Sequence, residues 1–211
     1  AGMILFWAIS YCFFKEVSSV FIPEIIPAAS FKIICFCQFK LSFLNPAFRA
    51  DDLSDQRSVF GRDMTQVFCS DVVFVDARDK RGLGVGAEMM WAKFHKIPIV
   101  TLAPLESHYN KSKITFLGVS VENWVHPFVE SLSDAVVENI AEGAAWMRKF
   151  FSASAPKVKD VEWIRLAMEH YRDTQLSQDE PMKALVMANQ KLHSRIWESK
   201  NEQKEAAFSG S

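Results

Sequence analysis

Two carboxylates, Asp63 and Glu88, are the residues of this chain best suited by type and setting to do chemistry. Glu88 follows a segment in which Gly82, Gly84 and Gly86 remove three side chains from five positions. A ligand can approach such a backbone closely, and positive φ angles are easily adopted there. Asp63 falls within the apolar stripe of a predicted helix, where burial would raise the pKa of its carboxyl group.

A pair of carboxylates can break a glycosidic bond. One attacks the anomeric carbon or stabilises the oxocarbenium-like transition state, and the other moves a proton. Each acid also has a structural explanation. The helix dipole favours an acid such as Glu88 in a first turn, and Asp63 can pair with Arg57 or Arg62. A capping box at Glu88 is excluded, because Val85 stands where Ser or Thr is required.

Hydrophobic patterning predicts the elements that position Glu88. The apolar run Val72–Val75 is typical of a strand buried on both faces, Ala87–Lys96 has helix-forming composition, and Ile97–Leu102 predicts a second strand. These elements form one right-handed βαβ unit, whose ligands bind beyond the carboxyl ends of the strands. We therefore expect Glu88 in the first turn of its helix and Asp76 on the ligand side of the first strand.

The whole pattern predicts an α/β protein with a doubly wound, mostly parallel, Rossmann-like (flavodoxin-like) sheet and a C-terminal helical hairpin. Met3–Ile9 and Phe31–Phe36 are predicted as the first two strands. Ser54–Cys69 is predicted as the helix carrying Asp63, and Ser131–Phe151 as an amphipathic helix capped by Ser133.

A short linker at residues 153–157 predicts two domains. Residues 1–152 would form the α/β domain, and residues 157–205 a helical extension that packs on it or on a neighbouring subunit. Its second helix is predicted from Pro181 to about Lys200. Charged residues alternate with apolar ones at helical spacing throughout this extension, which indicates a scaffold and no catalytic site.

Composition narrows the function classes. A formal net charge of -1 argues against a general nucleic-acid binder. No apolar run is long enough to span a membrane, and the apolar residues 1–14 lack the basic leader of a signal peptide, so a cytoplasmic location is expected. The four cysteines form no CxxC pair and the five histidines show no ligand spacing, which predicts neither a metal site nor a cofactor.

The segments RDMTQVFCSDVVFVD and GLGVGAEMMWAKFHKIPIV resemble the core of the nucleoside 2-deoxyribosyltransferase family, including its nucleotide N-glycoside hydrolase relatives. The resemblance covers residues 60–104 and extends weakly to residue 125. The resemblance depends on four features in order: a helix that bears an Asp, an apolar strand after Ser-Asp, a Gly-x-Gly-x-Glu turn with its helix, and a Lys-x-Pro strand.

This resemblance implies a function and a set of roles. Glu88 would be the nucleophile that attacks C1′ of the sugar, Asp63 would deliver protons, and Tyr11 would orient the nucleophile. Asn123 would contact the sugar 5′-hydroxyl from a neighbouring subunit, which implies a homo-oligomer. Gly84, Gly86 and Asp76 are candidate substrate-binding residues. The chain is expected to cleave a small-molecule nucleoside or nucleotide and to transfer the glycosyl group to another base or to water.

Two other readings remain open. Gly82, Gly84 and Ala87 satisfy GxGxxA, and Glu106 lies about twenty residues on, which is the pattern of an NAD(P)-binding Rossmann oxidoreductase. The segment DARDKR, however, separates these glycines from the strand that ends at Val75. The third reading is a non-catalytic nucleotide-binding or assembly module in which the helical extension is the working part.

Overall fold

The computed structural model of the chain describes residues 6–10, 42–44, 49–152 and 157–198. The predicted strand Phe31–Phe36 and the candidate Tyr11 lie outside the described residues. The chain divides into two compact units, with the boundary between Val161 and Glu162. The first is a mixed α/β unit and the second is helical.

The first unit follows this element order: β1 (Phe6–Ser10), β2 (Ser42–Leu44), α1 (Gln56–Phe68), β3 (Val72–Asp76), α2 (Leu83–Phe94), β4 (Ile99–Leu102), β5 (Asn110–Phe116), β6 (Val119–Val125), α3 (Pro127–Leu132), β7 (Ala135–Val137) and α4 (Ile140–Phe151). The predicted strands around Glu88 are confirmed in β3 and β4. The helix that carries Asp63 is confirmed in α1, where the Asp55 carboxylate accepts a hydrogen bond from the Ser58 backbone N–H.

The main sheet has the strand order β2-β1-β3-β4-β7. The three strands β3, β4 and β7 are parallel. The first strand, predicted at Met3–Ile9 to open a parallel βαβ unit, instead runs antiparallel to both β2 and β3. Apolar content identifies a strand but does not encode the direction of its neighbour, so this part of the prediction is wrong.

The core of the first unit lies between the parallel strands and α4. Its buried side chains are Val72, Phe74, Val100, Leu102, Val137, Ala144 and Met147. On α2, the buried residues Val85, Met89 and Ala92 share one face. Burial of these apolar surfaces is the main term that fixes α2 and α4 against the sheet.

Helix α2 begins at Leu83, four residues before the predicted start at Ala87. Glu88 therefore lies in the second turn, and the expected stabilisation of a first-turn acid by the helix dipole is lost. Gly84 and Gly86 are helical, and Gly82 has a φ of -82°, so the expected positive φ angles are absent at these three glycines. Packing of Val85 and Met89 outweighs the poor helix propensity of glycine.

The predicted single helix Ser131–Phe151 is wrong. It is divided into α3, β7 and α4, because Ala135–Val137 pairs with β4 as a parallel strand. The Ser133 hydroxyl contacts the Thr101 hydroxyl at 2.6 Å, and Ser133 ends α3 instead of capping the N-terminus of a helix. The cap of α4 is Asn139, whose side chain accepts a hydrogen bond from the Glu142 backbone N–H.

The second unit contains α5 (Val161–Thr174), α6 (Glu180–Ala188) and α7 (Gln190–Glu198). The predicted continuous second helix is interrupted at Asn189, whose side-chain oxygen accepts hydrogen bonds from the backbone N–H groups of Lys191 and Leu192. Asparagine competes with the backbone in this way and starts a new helix. The expected two-helix hairpin is therefore replaced by three helices. Among the described residues, none of the helices is long and apolar enough to cross a bilayer.

Candidate functional site

The candidate site lies where α1 contacts α2. The indole Nε1 of Trp91 donates a hydrogen bond to the backbone oxygen of Met64, across 3.2 Å. This contact fixes the two helices side by side and places Asp63, from α1, close enough to Glu88, from α2, for their charges to interact. Asp63 and Glu88 therefore lie within electrostatic range of each other, and their role as a catalytic pair stays a prediction.

Glu88 is buried, with 8% of its surface exposed. Its Oε2 atom is sealed from solvent and has no hydrogen-bond partner among the described residues. Burial, and secondarily the negative charge of Asp63, raise the pKa of Glu88 from 4.5 to about 7. A carboxyl group with this pKa is divided between its protonated and ionised forms near neutral pH, so it can act as a nucleophile in one form and donate a proton in the other.

Asp63 is half-buried and belongs to a cluster of two arginine and two aspartate side chains. Its Oδ1 atom lies 3.4 Å from an Nη1 atom of Arg49 and 3.4 Å from Nη1 of Arg62. Arg49 also donates two hydrogen bonds to Asp51, at 2.8 and 2.6 Å. The side chain of Asp63 is therefore held in place by two arginines, and the neighbouring Phe60 is exposed.

Arg49 was not predicted as part of the site, whereas pairing of Asp63 with Arg62 was one of the two interpretations of that acid. Arg49 precedes α1 in an irregular segment, so no helical or strand periodicity connects it to Asp63. The only local signal is its separation of two residues from Asp51, which permits the bidentate contact that the structure contains.

Gly84 and Gly86 lie on two different faces of helix α2. Gly84 and Glu88 are four residues apart and share one face. A Cβ atom added at Gly84 would meet no atom within 4 Å, so open space lies beside the backbone on the Glu88 face. Gly86 and Met90 share the other face, where they line a cavity of about 480 Å³. Neither Asp63 nor Glu88 lines this cavity.

Asp76 lies at the end of β3, as expected, but its carboxylate is engaged within the chain. Arg78 donates hydrogen bonds to it at 2.9 and 2.6 Å, and an Nη2 atom of Arg81 lies 3.4 Å away. Burial alone would raise the pKa of Asp76, but the hydrogen bonds from Arg78 hold it below its ordinary value. An ionised and already paired Asp76 orders the loop between β3 and α2.

The other candidate residues lie apart from this pair or outside the described residues. Asn123 is exposed on β6, in a two-stranded ribbon formed with β5, and has a φ of 51°. Asparagine adopts this left-handed conformation more readily than most residues. Tyr11 lies outside the described residues. Within residues 49–152 and 157–198, no group of three or more His, Cys, Asp or Glu side chains is arranged to hold a metal ion.

No protein-family model, curated protein or solved structure matches this chain.

Proposed function

We propose that this chain cleaves the N-glycosidic bond of a deoxynucleoside, a nucleoside or a nucleoside monophosphate, with transfer of the glycosyl group to another base or to water. The observation that carries the proposal is the buried Glu88 carboxyl group, which has an unpaired oxygen and lies beside Asp63. A buried acid with a strongly raised pKa and a second acid at its side is a feature of catalytic sites.

The reaction would proceed in two displacements. An ionised Glu88 oxygen forms an ester bond to C1′ as the bond from C1′ to the base nitrogen breaks, and the departing base takes a proton through Asp63. Water or the nitrogen of a second base then attacks C1′, which restores the Glu88 carboxylate. Each half-reaction transfers one proton to or from the base or water, so charge and atoms balance.

Burial contributes to this mechanism by removing hydrogen bonds that would stabilise the Glu88 carboxylate. An ionised oxygen without donors is a stronger nucleophile than one that is solvated, although less of it is present at a given pH. The open space beside Gly84 supports approach of the sugar along the Glu88 face of α2. Arg49 and Arg62 support the position of Asp63 during proton transfer.

The resemblance to the nucleoside 2-deoxyribosyltransferase family extends the proposal in three respects. The three parallel strands would belong to a doubly wound, Rossmann-like sheet. Asn123 would enter the site of a neighbouring copy in a homo-oligomer, which suits its exposure on the β5–β6 ribbon. Tyr11 would orient Glu88. The cytoplasmic location and the packing or oligomerising role of the helical extension belong to the same set of expectations.

The experiment is a substrate panel read by release of free base. Purified protein is incubated with deoxynucleosides, ribonucleosides and their monophosphates, with and without a second base, and products are separated by chromatography. We expect release of free base from at least one substrate. If the protein is a transferase, we also expect exchange of one base for another when a second base is present. A covalent glycosyl-enzyme should be seen as a mass increase of one sugar, or sugar phosphate, on the peptide containing Glu88.

Variants separate the assignment of Glu88 from the assignment of the reaction. Glu88→Gln keeps the shape of the side chain but cannot form the ester, so base release should fall by at least about a thousandfold. Exposed Glu138→Gln is the matched control and should keep full activity. Unchanged turnover in Glu88→Gln would refute the nucleophile, whereas absence of cleavage by wild-type protein across the panel would refute the function itself.

The two other readings give different results in the same assays. An NAD(P)-dependent oxidoreductase would require nicotinamide for turnover, and a non-catalytic module would bind nucleosides without releasing base. In the structure the Glu106 carboxylate, which the dinucleotide pattern would direct to a ribose, accepts a hydrogen bond from the Ser112 backbone N–H at 2.9 Å.

A further inference from the structure

The cavity between α2 and α3 lies on the opposite face of α2 from Glu88. Its volume, about 480 Å³, falls within the range of small-molecule sites. Most of its wall is apolar and comes from β3, α2 and α3, with Val75, Val85, Met89, Val129 and Leu132 as representative side chains. Leu83 and Phe128 stand at its edge, 94% and 74% exposed, so the cavity is open to a ligand.

The polar groups of the cavity are hydrogen-bond donors. The Tyr109 hydroxyl accepts a hydrogen bond from the Arg81 backbone N–H at 2.7 Å, which leaves the hydroxyl hydrogen available to a ligand. Arg81 also lines the cavity, and the Asp76 carboxylate that it contacts is shared with Arg78. No Asp or Glu residue lines the cavity within the described part of the chain.

His126 adds a third donor. Its Nδ1 atom is sealed from solvent without a hydrogen-bond partner among the described residues, and its backbone N–H is bound to the Tyr109 backbone oxygen. A buried N–H without an acceptor is more costly than a buried lone pair, so the proton of the neutral ring belongs on Nε2. Burial, and the proximity of His108, lower the pKa of His126, which favours the neutral ring.

We infer that this cavity is a second small-molecule site, which binds an amphipathic monocarboxylate with an apolar body against α2 and α3 and its carboxylate toward Tyr109, His126 and Arg81. The apolar wall selects the body. Tyr109, His126 and the Asp76-paired Arg81 line the cavity without any Asp or Glu in the described part of its wall, and this lining selects an anionic acceptor. The site is separate from the proposed nucleoside site, because the two lie on different faces of α2.

The test uses three probes of one shape: 3-phenylpropionate, its neutral amide, and the cation 3-phenylpropylamine. Protein with ¹³C-labelled methionine methyl groups reports binding, since Met89 and Met90 line the cavity while Met147 lies in the sheet core as an internal reference. We expect saturable shifts of the Met89 and Met90 signals with the carboxylate. The amide should bind about tenfold more weakly, and the amine should not shift these signals.

Four variants locate the binding. Gly86→Leu should abolish the shifts by filling the cavity, because an added Cβ there meets no atom within 4 Å and the helix is not disturbed. Gly61→Leu, equally unobstructed but on α1, is the matched control and should bind normally. Tyr109→Phe should weaken carboxylate binding about tenfold. Glu88→Gln should leave it unchanged, which distinguishes this site from the proposed catalytic one.

Four results would overturn the inference. Absence of a saturable shift with the carboxylate removes the site, and equal binding of the amide or the amine removes the donor-based selection. Shifts of Met89 and Met90 that follow protein concentration would show that a second copy of the chain covers this face. Competition between 3-phenylpropionate and a cleaved nucleoside would show a single site and contradict the separation of the two faces.

Discussion

The Asp63 carboxylate, on α1, lies close enough to the Glu88 carboxyl group, on α2, for its negative charge to raise the pKa of Glu88. Burial is the larger cause, and the two effects together raise that pKa to about 7, while Arg49 and Arg62 lie 3.4 Å from Asp63. Two acids 25 positions apart in sequence thus have unequal environments. Such inequality lets one pair of carboxyl groups perform two different roles at one pH.

The pH dependence of base release should reveal the role of Glu88. If Glu88 attacks C1′, kcat/KM rises with pH through an apparent pKa of about 7, because only the ionised carboxylate reacts. Asp63→Asn removes the repelling charge and should move this rise to lower pH. The measurement is kcat/KM for base release between pH 5 and 9 in wild type and variant, with a rise of about a hundredfold across this range in wild type.

The opposite profile would change the assignment. Activity that falls as pH rises through about 7 means that the protonated form of Glu88 is required, which makes it the proton donor. Asp63, held by two arginines, would then be the nucleophile. A profile without a transition near 7 would show that neither role depends on the ionisation of Glu88.

Glu88 should also reduce the stability of the protein at neutral and alkaline pH. Its folded pKa, about 7, lies above the ordinary 4.5, so the stability present below pH 4.5 is lost as pH rises through about 7. Glu88→Gln, which cannot ionise, should therefore raise the free energy of unfolding by about 3 kcal/mol at pH 8 and change it little at pH 4. Urea denaturation at both pH values measures the difference.

Exposed Glu138→Gln is the control for this experiment, and its free energy of unfolding should stay within about 0.5 kcal/mol of wild type at both pH values. A loss of stability at pH 8 in Glu88→Gln would mean that the Glu88 carboxylate is stabilised in the fold. In that case the raised pKa, and the catalytic argument that uses it, would be incorrect.

The sequence was sufficient to predict α1, β3 and β4, because these depend on local periodicity and on the geometry of a parallel strand pair. It was not sufficient where distant partners decide. Ala135–Val137 forms a strand only because β4 offers an edge, and a helical pattern was assigned there instead. Strand direction in β1 likewise depends on pairing that composition does not encode.

The features of the candidate site that the sequence did not predict also depend on residues distant in the chain. Arg49 contacts Asp63 from an irregular segment, where no period connects the two residues. The poor helix propensity of Gly84 and Gly86 predicts a turn. Burial of Val85 and Met89 outweighs that propensity, so both glycines are helical. The difference matters for function, because a helix places Gly84 and Gly86 on separate faces, whereas a turn would direct both toward one ligand.

The close packing of α4 on the sheet gives a stability prediction. A Cβ atom added at Gly143 would lie 2.7 Å from Cε2 of the buried Phe74 ring. Gly143→Ala should therefore lower the free energy of unfolding by about 1 to 2 kcal/mol, despite the better helix propensity of alanine. Gly61→Ala, on α1 with no atom within 4 Å, should raise it by about 0.5 to 1 kcal/mol. If thermal unfolding shows that both substitutions change the stability in the same direction, the packing of α4 described above is contradicted.

The ion pair between Lys93 and Asp134 joins α2 to the segment before β7. Both side chains are buried, and Asp134 also accepts hydrogen bonds from the backbone N–H groups of Ile99 and Lys159. Burial lowers the pKa of Lys93, and its contact with Asp134 opposes that change. Lys93→Met leaves a buried carboxylate without its cation, so the free energy of unfolding should fall by about 3 kcal/mol.

The double variant Lys93→Met with Asp134→Asn distinguishes an ion pair from simple packing. Ile99 and Lys159 donate to different oxygens of Asp134, so asparagine keeps an acceptor for one of the two N–H groups and removes the unpaired charge. The double variant should therefore recover about 1 to 2 kcal/mol relative to Lys93→Met alone. Exposed Lys113→Met, which breaks the surface pair with Glu122, is the control and should lose at most about 1 kcal/mol. Additive losses in the double variant would show that charge is not what couples the two side chains.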